Sequence, residues 1–339
     1  MMAPHPKFSG LLLSVALCFG VRPCPADEPL RVVFDTDMGN DVDDALALAM
    51  LHSLESRGEL KLLAVTLTKD NRFAAPYIDI VNTYYGRPHI PIGVVKNGKT
   101  PEDGAMIRTP VERKNAAGGP LYPHDLADGR QAPDAVPVLR KTLASEVDGA
   151  VTLIQVGFST NLARLLDSAP DAVSPLPGRE LIARKVRLLS VMAGKFTGPM
   201  AEFNVHIDVA SARKLFSEWP TPLVASGFEI GEALLFPAVS IERDFRYAEA
   251  HPVVDAYRAY KKMPYDRPSW DLTAVLYAAR PERDYFALSG PGTIEVAENA
   301  HTTFRAHPEG RHRYLILRED QKGRTLEALI QLASQPPSR

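Results

Sequence analysis

Short apolar strand patterns alternate with helical patterns along the chain, and this alternation restricts the fold more than any other feature. The first part of the chain contains predicted strands at 31–34, 60–67 and 90–94, separated by predicted helices at 45–54 and 77–85. Antiparallel strands can be joined by a short turn, whereas parallel strands need a crossover, usually a helix. The order strand, helix, strand, helix, strand therefore indicates a parallel sheet with helices on its faces.

The same alternation continues in the second part of the chain. Further strands are predicted at 151–156, 186–192 and 222–225, helices at 161–166, 210–218, 252–262 and 272–279, and a short strand group from 293 with a final helix at 325–332. With 45% hydrophobic residues, the 339-residue chain has enough apolar side chains for a large core. We expect one α/β domain over 27–339, with a single open, mostly parallel but mixed sheet and helices on both faces. The Gly- and Pro-rich segment 96–137 is expected to form a long surface excursion.

The first 26 residues have the three parts of a secretory signal peptide. Lys7 supplies a basic start, residues 11–19 form an apolar run too short to span a bilayer, and Pro25 and Ala26 offer a cleavage site. We therefore expect residues 1–26 to be removed on export to the periplasm or the medium. An uncleaved N-terminal anchor is the alternative.

Composition and cysteine placement exclude several classes of function. A formal net charge of -2 gives no electrostatic reason to expect a nucleic acid or an anionic membrane as partner. Both cysteines, Cys18 and Cys24, lie inside the predicted leader. The mature chain then has no thiol for a disulfide, a thiolate metal site or a cysteine nucleophile. Export without disulfides means that core packing, together with a bound metal, must stabilise the fold.

Five carboxylates follow the first predicted strand within ten residues, at Asp35, Asp37, Asp41, Asp43 and Asp44. Ligands of open parallel sheets bind at the carboxyl ends of the strands, which is where this loop lies. Carboxylates so close together repel one another, and a hard divalent cation, Ca²⁺ or Mg²⁺, relieves that repulsion. Helix capping and the helix dipole explain one or two of these acids, but not five. The loop therefore predicts a metal site.

Two enzyme families carry a loop of this kind after their first strand. Phosphatases that form an aspartyl-phosphate use Asp-x-Asp, which Asp35 and Asp37 match, but they place threonine or valine where this chain has Gly39. The nucleoside hydrolases have Asp-x-Asp-x-Gly followed by an Asp-Asp doublet that opens a helix. The acidic loop and the segment 43–47 resemble that pattern more closely.

The acidic loop is two residues longer than the shorter form of the family motif, so the first acid of the doublet has two candidates. Counting from the strand gives Asp41, and counting from the helix gives Asp43, which is preferred because Ala-Leu-Ala continues the helix. Four later segments resemble segments of the same family and follow one another in the family's order. The first three are expected at strand ends and the fourth at a helix start. These segments are 66–71, 153–162, 201–204 and 270–271.

The resemblance implies a calcium-dependent hydrolase that cleaves the N-glycosidic bond of a small-molecule ribonucleoside and forms a homo-oligomer. Cleavage passes through an oxocarbenium-like sugar, so the enzyme needs negative charge near the ring and a positioned water. Asp37, reaching both metal and water, is the implied general base. The implied calcium ligands are Asp37, Asp44, the Val156 carbonyl and Asp271. The implied substrate-binding residues are Asp43, Asn71, Met192, Glu202, Asn204 and Trp270.

Two departures from the family pattern bear on the substrate. Family members active on both purine and pyrimidine nucleosides carry histidine where this chain has Trp270, and purine-preferring members stack the base on tryptophan there. The resemblance therefore implies a purine preference. The segment 193–200 lacks the asparagine that many members place at the sugar 5′-hydroxyl. A hydrolase of another N-glycoside and a nucleoside-binding protein without catalysis therefore stay as alternatives.

Overall fold

In the computed structural model, which describes residues 1–2 and 28–338, strands and helices alternate as predicted. The strands are β1 (Leu30–Thr36), β2 (Leu60–Leu67), β3 (Ile92–Val94), β4 (Val151–Gln155), β5 (Val186–Met192), β6 (Leu223–Ser226), β7 (Leu235–Phe236), β8 (Arg267–Pro268), β9 (Ala287–Leu288), β10 (Gly292–Val296), β11 (Thr302–Ala306) and β12 (His312–Ile316). The α-helices are α1 (Asp43–Ser56), α2 (Ala74–Tyr84), α3 (Ala105–Glu112), α4 (Ala135–Ser145), α5 (Thr160–Leu166), α6 (Gly178–Lys185), α7 (Phe203–Ile207), α8 (Val209–Glu218), α9 (Phe228–Glu232), α10 (Ala238–Arg243), α11 (Pro252–Tyr260), α12 (Trp270–Ala279) and α13 (Glu319–Ala333). The predicted leader, apart from residues 1 and 2, lies outside the described residues.

One mixed, mostly parallel sheet forms the centre of the fold, which confirms the predicted class. Its strands follow the order β11-β10-β12-β6-β5-β4-β1-β2-β3, and β9 pairs with β12. All neighbours from β3 to β12 run parallel, whereas β9 and β10 run antiparallel to β12, and β11 antiparallel to β10. Strands β7 and β8 form a separate antiparallel pair.

Helices cover both faces of this sheet because its central strands are apolar on both sides. In β1, Val32 and Phe34 belong to one core and Val33 belongs to the other, as alternate side chains of a strand point to opposite faces. The first core takes residues from α1, α2, α11, α12 and α13, and the second from α4, α5, α6 and α8. A strand buried on both faces reads as a continuous apolar run, which is the pattern seen in the sequence.

The strand order reverses beside β1, and this reversal positions the candidate site. From β1 the chain first builds β2 and β3 on one side and later adds β4, β5 and β6 on the other. A crevice forms at such a reversal, outside the carboxyl ends of the strands. The acidic loop leaves β1 at this edge, next to the ends of β2, β4 and β5.

Two local expectations differ from the structure. The excursion 96–137 contains helix α3 and the start of α4, and a bridge between Val94 and Asp134 returns its end to the sheet. The segment 201–204 starts α7 rather than ending a strand, because the Glu202 carboxylate accepts backbone N–H groups of the first turn and caps the helix. No helix within 28–338 is both long enough and apolar enough to cross a bilayer.

Candidate active site

The acidic loop leaves β1 at Thr36 and enters α1 at Asp43. Gly39 sets its path, with φ of +115°, a value that residues with a Cβ rarely adopt. A Cβ at this position would lie 2.7 Å from Cδ1 of Ile107 in α3. The loop is therefore packed against α3, and glycine is the residue that fits.

Three carboxylates converge where the acidic loop meets the start of α12. One oxygen from each of Asp41, Asp44 and Asp271 lies within 4.8 Å of the others. Oδ2 of Asp44 and Oδ2 of Asp271 are buried and have no hydrogen-bond partner among the residues that the structure describes, while the Thr36 hydroxyl donates to the other oxygen of Asp44. Buried carboxylate oxygens without a donor are unfavourable unless a cation binds them. This group of three acids, hereafter the acidic cluster, fits a divalent metal ion that prefers oxygen ligands.

Burial raises the pKa of the carboxyl groups around this point. Burial raises the pKa of Asp37 to about 7, against the opposing effect of the hydrogen bond from Asn40. Burial and the charges of neighbouring acids raise the pKa of Asp44 and of Asp271 well above the usual range. A bound divalent cation acts in the opposite sense and favours the charged carboxylates. The electrostatics of the acidic cluster therefore also fit a metal site.

Arg267 forms ion pairs with both Asp41 and Asp43, the two candidates for the first acid of the doublet. Its Nη2 lies 2.6 Å from Oδ2 of Asp41 and 2.9 Å from Oδ1 of Asp43. Asp43 has no exposed surface, and its Oδ2 accepts the backbone N–H of Asp271 at 3.3 Å. Asp43 therefore faces Arg267 and the start of α12. Of the two candidates for the first acid of the doublet, the structure brings Asp41 to the acidic cluster.

A cavity of about 70 Å³ borders the acidic cluster. Its walls combine acids, an amide and apolar side chains: Asp37, Asp41, Val156, Met192, Glu202, Phe203, Asn204, Phe228, Trp270 and Asp271. Ligand pockets usually measure about 300–1,000 Å³, so a nucleoside-sized ligand requires some of these side chains to move. A larger surface groove of about 660 Å³ lies between α8 and β10, but no member of the acidic cluster lines it.

Two polar residues at the start of α7 form one wall of the cavity. The Glu202 carboxylate accepts backbone N–H groups of Gly194 at 3.0 Å and Asn204 at 2.9 Å. The Asn204 amide donates to the carbonyl oxygens of Val156 at 2.7 Å and Met192 at 3.2 Å. These bonds fix both side chains beside the carboxyl ends of β4 and β5.

Two aromatic rings form another wall. The ring centroids of Phe228 and Trp270 lie 5.1 Å apart with an interplanar angle of 32°. The indole Nε1–H donates to the Phe228 carbonyl at 2.8 Å, and the guanidinium of Arg267 lies 4.9 Å from the Trp270 ring centroid. Because its N–H is already bonded, Trp270 contributes ring surface rather than a donor to the cavity.

Two of the residues predicted to bind substrate do not line the cavity. Asp43 is held by Arg267, as described above. Asn71 accepts the backbone N–H groups of Phe73 and Ala74 at 3.0 and 2.8 Å, and its amide donates to the Glu102 carbonyl at 3.1 Å. The Asn71 side chain thus caps the start of α2 and connects it to the excursion. The other predicted residues converge on the cavity or its acidic cluster: Asp37, Asp44, Val156, Met192, Glu202, Asn204, Trp270 and Asp271.

Asp35, which would be the nucleophile of an aspartyl-phosphate enzyme, is buried away from the cavity. Its Oδ1 accepts hydrogen bonds from the Thr66 hydroxyl at 2.5 Å and the Asn161 amide at 2.8 Å. Burial raises its pKa to about 7. A nucleophile must be reachable and charged, so this environment disfavours the phosphatase alternative.

Three residues that sequence reasoning did not single out join the site: Asn40, Lys69 and Arg267. The Asn40 amide donates to Oδ2 of Asp37 at 2.7 Å, and the Lys69 ammonium donates to Oδ1 of Asn40 at 3.0 Å. Lys69 lies inside the segment 66–71, and a lysine at the end of a buried strand was the available signal. Arg267 gave no local signal for this role, since the two carboxylates that it pairs with, Asp41 and Asp43, lie more than 220 residues away.

The sequence of the chain matches a known protein family and its relatives. The sequence model described as "Inosine-uridine preferring nucleoside hydrolase" matches residues 32–330. The pyrimidine-specific ribonucleoside hydrolase RihA of Salmonella enteritidis is 30% identical over 220 residues. That match covers 63% of this chain and 65% of RihA, so the chain spans slightly under two thirds of the length of this relative.

Solved structures of nucleoside hydrolases share the fold. The purine-preferring ribonucleoside hydrolase from Gardnerella vaginalis superposes with a TM-score of 0.64 at 16% identity, covering 90% of this chain and 98% of that one. The inosine-uridine preferring nucleoside hydrolase from Bacillus anthracis gives a TM-score of 0.64 at 17% identity, covering 90% and 99%. At such identities the likeness shows the fold alone.

Proposed function

Because the chain belongs to the inosine-uridine preferring nucleoside hydrolase family, whose members are hydrolases acting on N-glycosyl bonds, we propose that it cleaves purine ribonucleosides with the help of a bound calcium ion. The products are the free base and ribose. The observation that carries the proposal is a pair of buried oxygens on Asp44 and Asp271 that have no partner within residues 28–338, beside a cavity walled by Phe228 and Trp270.

The residues around the acidic cluster are suited to hold the metal. Asp44 and Asp271 supply these oxygens, and Asp37 and Val156, whose carbonyl is the fourth ligand that we propose, line the same cavity. An all-oxygen set of several protein ligands favours calcium, because magnesium keeps more of its own waters. When bound, the ion supplies positive charge that orients the ribose hydroxyls and lowers the pKa of a water.

Asp37 is the residue we assign as general base. Its Oδ2 accepts the Asn40 amide, so Oδ1 is the oxygen left to take a proton from the attacking water. The surrounding carboxylates stabilise the positive charge that develops on the sugar in the transition state. Burial of Asp37 at 4% exposure keeps bulk water from competing with the positioned one.

The start of α7 and the acidic loop form the sugar end of the cavity. Glu202 and Asn204 are held rigidly by backbone partners, so they can fix ribose hydroxyls without first ordering themselves. We assign to Asp41 the substrate-binding role that the resemblance implied for Asp43, because Asp41 lines the cavity. Asp41 is itself oriented by Arg267 at 2.6 Å.

Phe228 and Trp270 form the base end of the cavity. A purine offers a larger ring surface for stacking than a pyrimidine does, and a stacked aromatic pair contributes about 0.5–1.5 kcal/mol beyond area burial. Because the Trp270 N–H is occupied, recognition there depends on ring surface. This arrangement supports the purine preference that the tryptophan implied. We further propose that the enzyme acts outside the cytoplasm, after removal of the leader 1–26.

The test is release of free ribose from inosine, adenosine, guanosine, uridine and cytidine, with calcium and with a calcium chelator. Asp37→Ala is the variant expected to lose catalysis, and Asp148→Ala is its control. Asp148 lies just before β4, at the edge of the sheet opposite the cavity, and its side chain is 51% exposed. We expect faster release from the purine nucleosides, loss of release with chelator or Asp37→Ala, and no change with Asp148→Ala.

Each part of the proposal has its own contrary result. Equal rates on uridine and inosine remove the purine preference and keep the enzyme class. Release that persists with chelator removes the metal. Absence of release from every nucleoside, with ligand binding intact, favours the alternatives of another N-glycoside substrate or a binding protein.

A further inference from the structure

Lys69 is a buried cation at the candidate active site. The residue is 2% exposed, and its ammonium donates to the Thr100 carbonyl at 2.6 Å and to Oδ1 of Asn40 at 3.0 Å. Within residues 28–338, no carboxylate oxygen lies within 4.0 Å of this ammonium. A buried lysine without an ion pair is unfavourable in a core, so its position calls for a role that uses its donors.

The ammonium of Lys69 determines which way the Asn40 amide faces. An ammonium can only donate, so the Asn40 atom facing it must be the carbonyl oxygen. The amide nitrogen of Asn40 is then directed away, where it donates to Oδ2 of Asp37 at 2.7 Å and to the Thr100 hydroxyl at 3.2 Å. A rotated amide would place its oxygen against the Asp37 carboxylate and its NH₂ group against an ammonium, which is repulsive on both sides.

We propose that Lys69 is a positioning residue for the general base and acts on Asp37 through the amide of Asn40. This inference rests on the proposed function, which makes Asp37 the base. The Asn40 N–H holds Oδ2 of Asp37, so the carboxylate has one preferred orientation, with Oδ1 left for the water. Lys69 makes that orientation unique by excluding the rotated amide.

An alternative role for Lys69 is to tie the excursion to the acidic loop through Thr100. That role needs the bond to the Thr100 carbonyl. The positioning of Asp37 by Lys69 through Asn40, hereafter the relay, needs the bond to Asn40 instead. Lys96 offers a matched comparison, because its ammonium also donates to two backbone carbonyls of the excursion, those of Ala132 at 2.8 Å and Arg130 at 3.2 Å. Lys96 has no bond to the acidic loop among the described residues.

The experiment measures kcat and KM on inosine, with saturating calcium, for Lys69→Met, Asn40→Ala, the double variant and Lys96→Met. We expect Lys69→Met and Asn40→Ala each to lower kcat about 10- to 100-fold while KM changes less than about 3-fold, since a misplaced base affects the chemical step. The double variant should match Asn40→Ala alone, because Lys69 acts through Asn40. Lys96→Met should stay within about 2-fold of the wild type.

Asn40→Asp tests the direction of the relay. This nearly isosteric change keeps an oxygen for Lys69 but removes the donor to Asp37, so kcat should fall as far as in Asn40→Ala. Multiplying losses in the double variant, a wild-type kcat in Asn40→Asp, or a Lys96→Met loss equal to that of Lys69→Met would each overturn this positioning role of Lys69.

A second measurement separates this inference from the proposed function. Urea midpoints of the same variants, with chelator present, report the Lys69–Asn40 contact without any turnover. We expect the midpoint shifts of Lys69→Met and Asn40→Ala not to add in the double variant. Absence of turnover in the wild type overturns the proposed function, and the relay is then decided by the midpoints; additive shifts overturn the relay whether or not turnover is seen.

Discussion

Arg267 holds Asp43 across a separation of 224 residues, with Nη2 and Nε at 2.9 and 3.1 Å from one carboxylate oxygen. The same Asp43 side chain accepts the backbone N–H of Asp271 through its other oxygen. The contact joins the start of α1, which carries Asp44, to the start of α12, which carries Asp271. Asp43 therefore connects the two helices that carry Asp44 and Asp271 of the acidic cluster.

Replacing Arg267 with methionine should destabilise the protein strongly. Removing one partner of a buried ion pair leaves an uncompensated charge on Asp43, which costs about 3 kcal/mol or more. The free energy of unfolding in urea, measured with chelator present, should fall by that amount. Arg305→Met is the control, because Arg305 and its partner Glu295 have side chains 73% and 49% exposed, and its effect should stay within about 0.5 kcal/mol. Equal effects of the two variants would contradict the assigned role of Arg267.

Asp271→Asn should have opposite effects on stability without and with calcium. Without the ion, the substitution removes a buried charge whose Oδ2 has no partner, so the free energy of unfolding should rise by about 1 kcal/mol. With calcium at 100 times its Kd, the wild type should gain about 2.7 kcal/mol, and the variant should gain much less. Differential scanning calorimetry with calcium and with chelator measures both. The exposed Asp148→Asn should behave as wild type in each condition, and a full calcium response in Asp271→Asn would exclude Asp271 as a ligand.

The sequence predicts the framework of the fold better than the contacts of the site. The bounds of β2 and β5 were predicted to the residue, because each is an apolar run ended by turn residues. Helix α6 was missed, since its charged surface leaves few apolar positions to show a period. The Glu202 segment was placed at a strand end, because a single cap residue decides between strand end and helix start.

Site residues that belong to a local sequence motif could be predicted, whereas contacts with distant residues could not. Acids that follow one strand are visible in the sequence, and the structure places Asp37 at the cavity and Asp44 in the acidic cluster. Which of Asp41 and Asp43 reaches the acidic cluster depends on Arg267, which pairs with both acids, and on Asp271, whose backbone N–H holds Asp43. The Asn40 relay depends on a lysine whose burial appears only in three dimensions. Long-range partners of this kind have no local signature.

The stability of the protein should fall in acid through His52. This residue is buried in α1, its ring stacks on Tyr85 with centroids 5.0 Å apart, and its Nε2 lies 2.9 Å from Oδ1 of Asn82. Burial lowers its pKa from 6.5 to about 3. The unfolded chain therefore binds more protons than the folded one between these values. The contribution is complete above about pH 6.5 and is lost as the pH falls, with a slope approaching about 1.4 kcal/mol per pH unit inside the window.

Urea unfolding of His52→Gln at pH 7, 5.5 and 4.5 checks this expectation. The variant keeps a polar group near Asn82 but cannot take up the proton, so its stability should depend less on pH than that of the wild type. His89→Gln is the control, since His89 is exposed, and its profile should follow the wild type. Parallel profiles for His52→Gln and wild type would show that His52 is not the group that senses acid.

Trp270 should report nucleoside binding directly, because the chain has only two tryptophans. Trp219 is 4% exposed in the second core and donates its Nε1–H to the Thr221 hydroxyl at 2.9 Å. In Trp219→Phe combined with Asp37→Ala, which stops turnover, tryptophan fluorescence comes from Trp270 alone, and inosine should quench it with a midpoint equal to its Kd. In the matched Trp270→Phe variant, inosine should leave the remaining fluorescence unchanged.

Substitutions of the same two tryptophans test base preference. Trp270→Ala removes the stacking surface and should lower kcat/KM for inosine about 10-fold or more, whereas kcat/KM for uridine should change less, because a smaller base uses less of that surface. Trp270→Phe should retain part of the inosine activity, since a ring remains. Trp219→Phe should leave the ratio of inosine to uridine activity unchanged. An equal loss on both nucleosides in Trp270→Ala would mean that Trp270 supports the site as a whole and does not select the base.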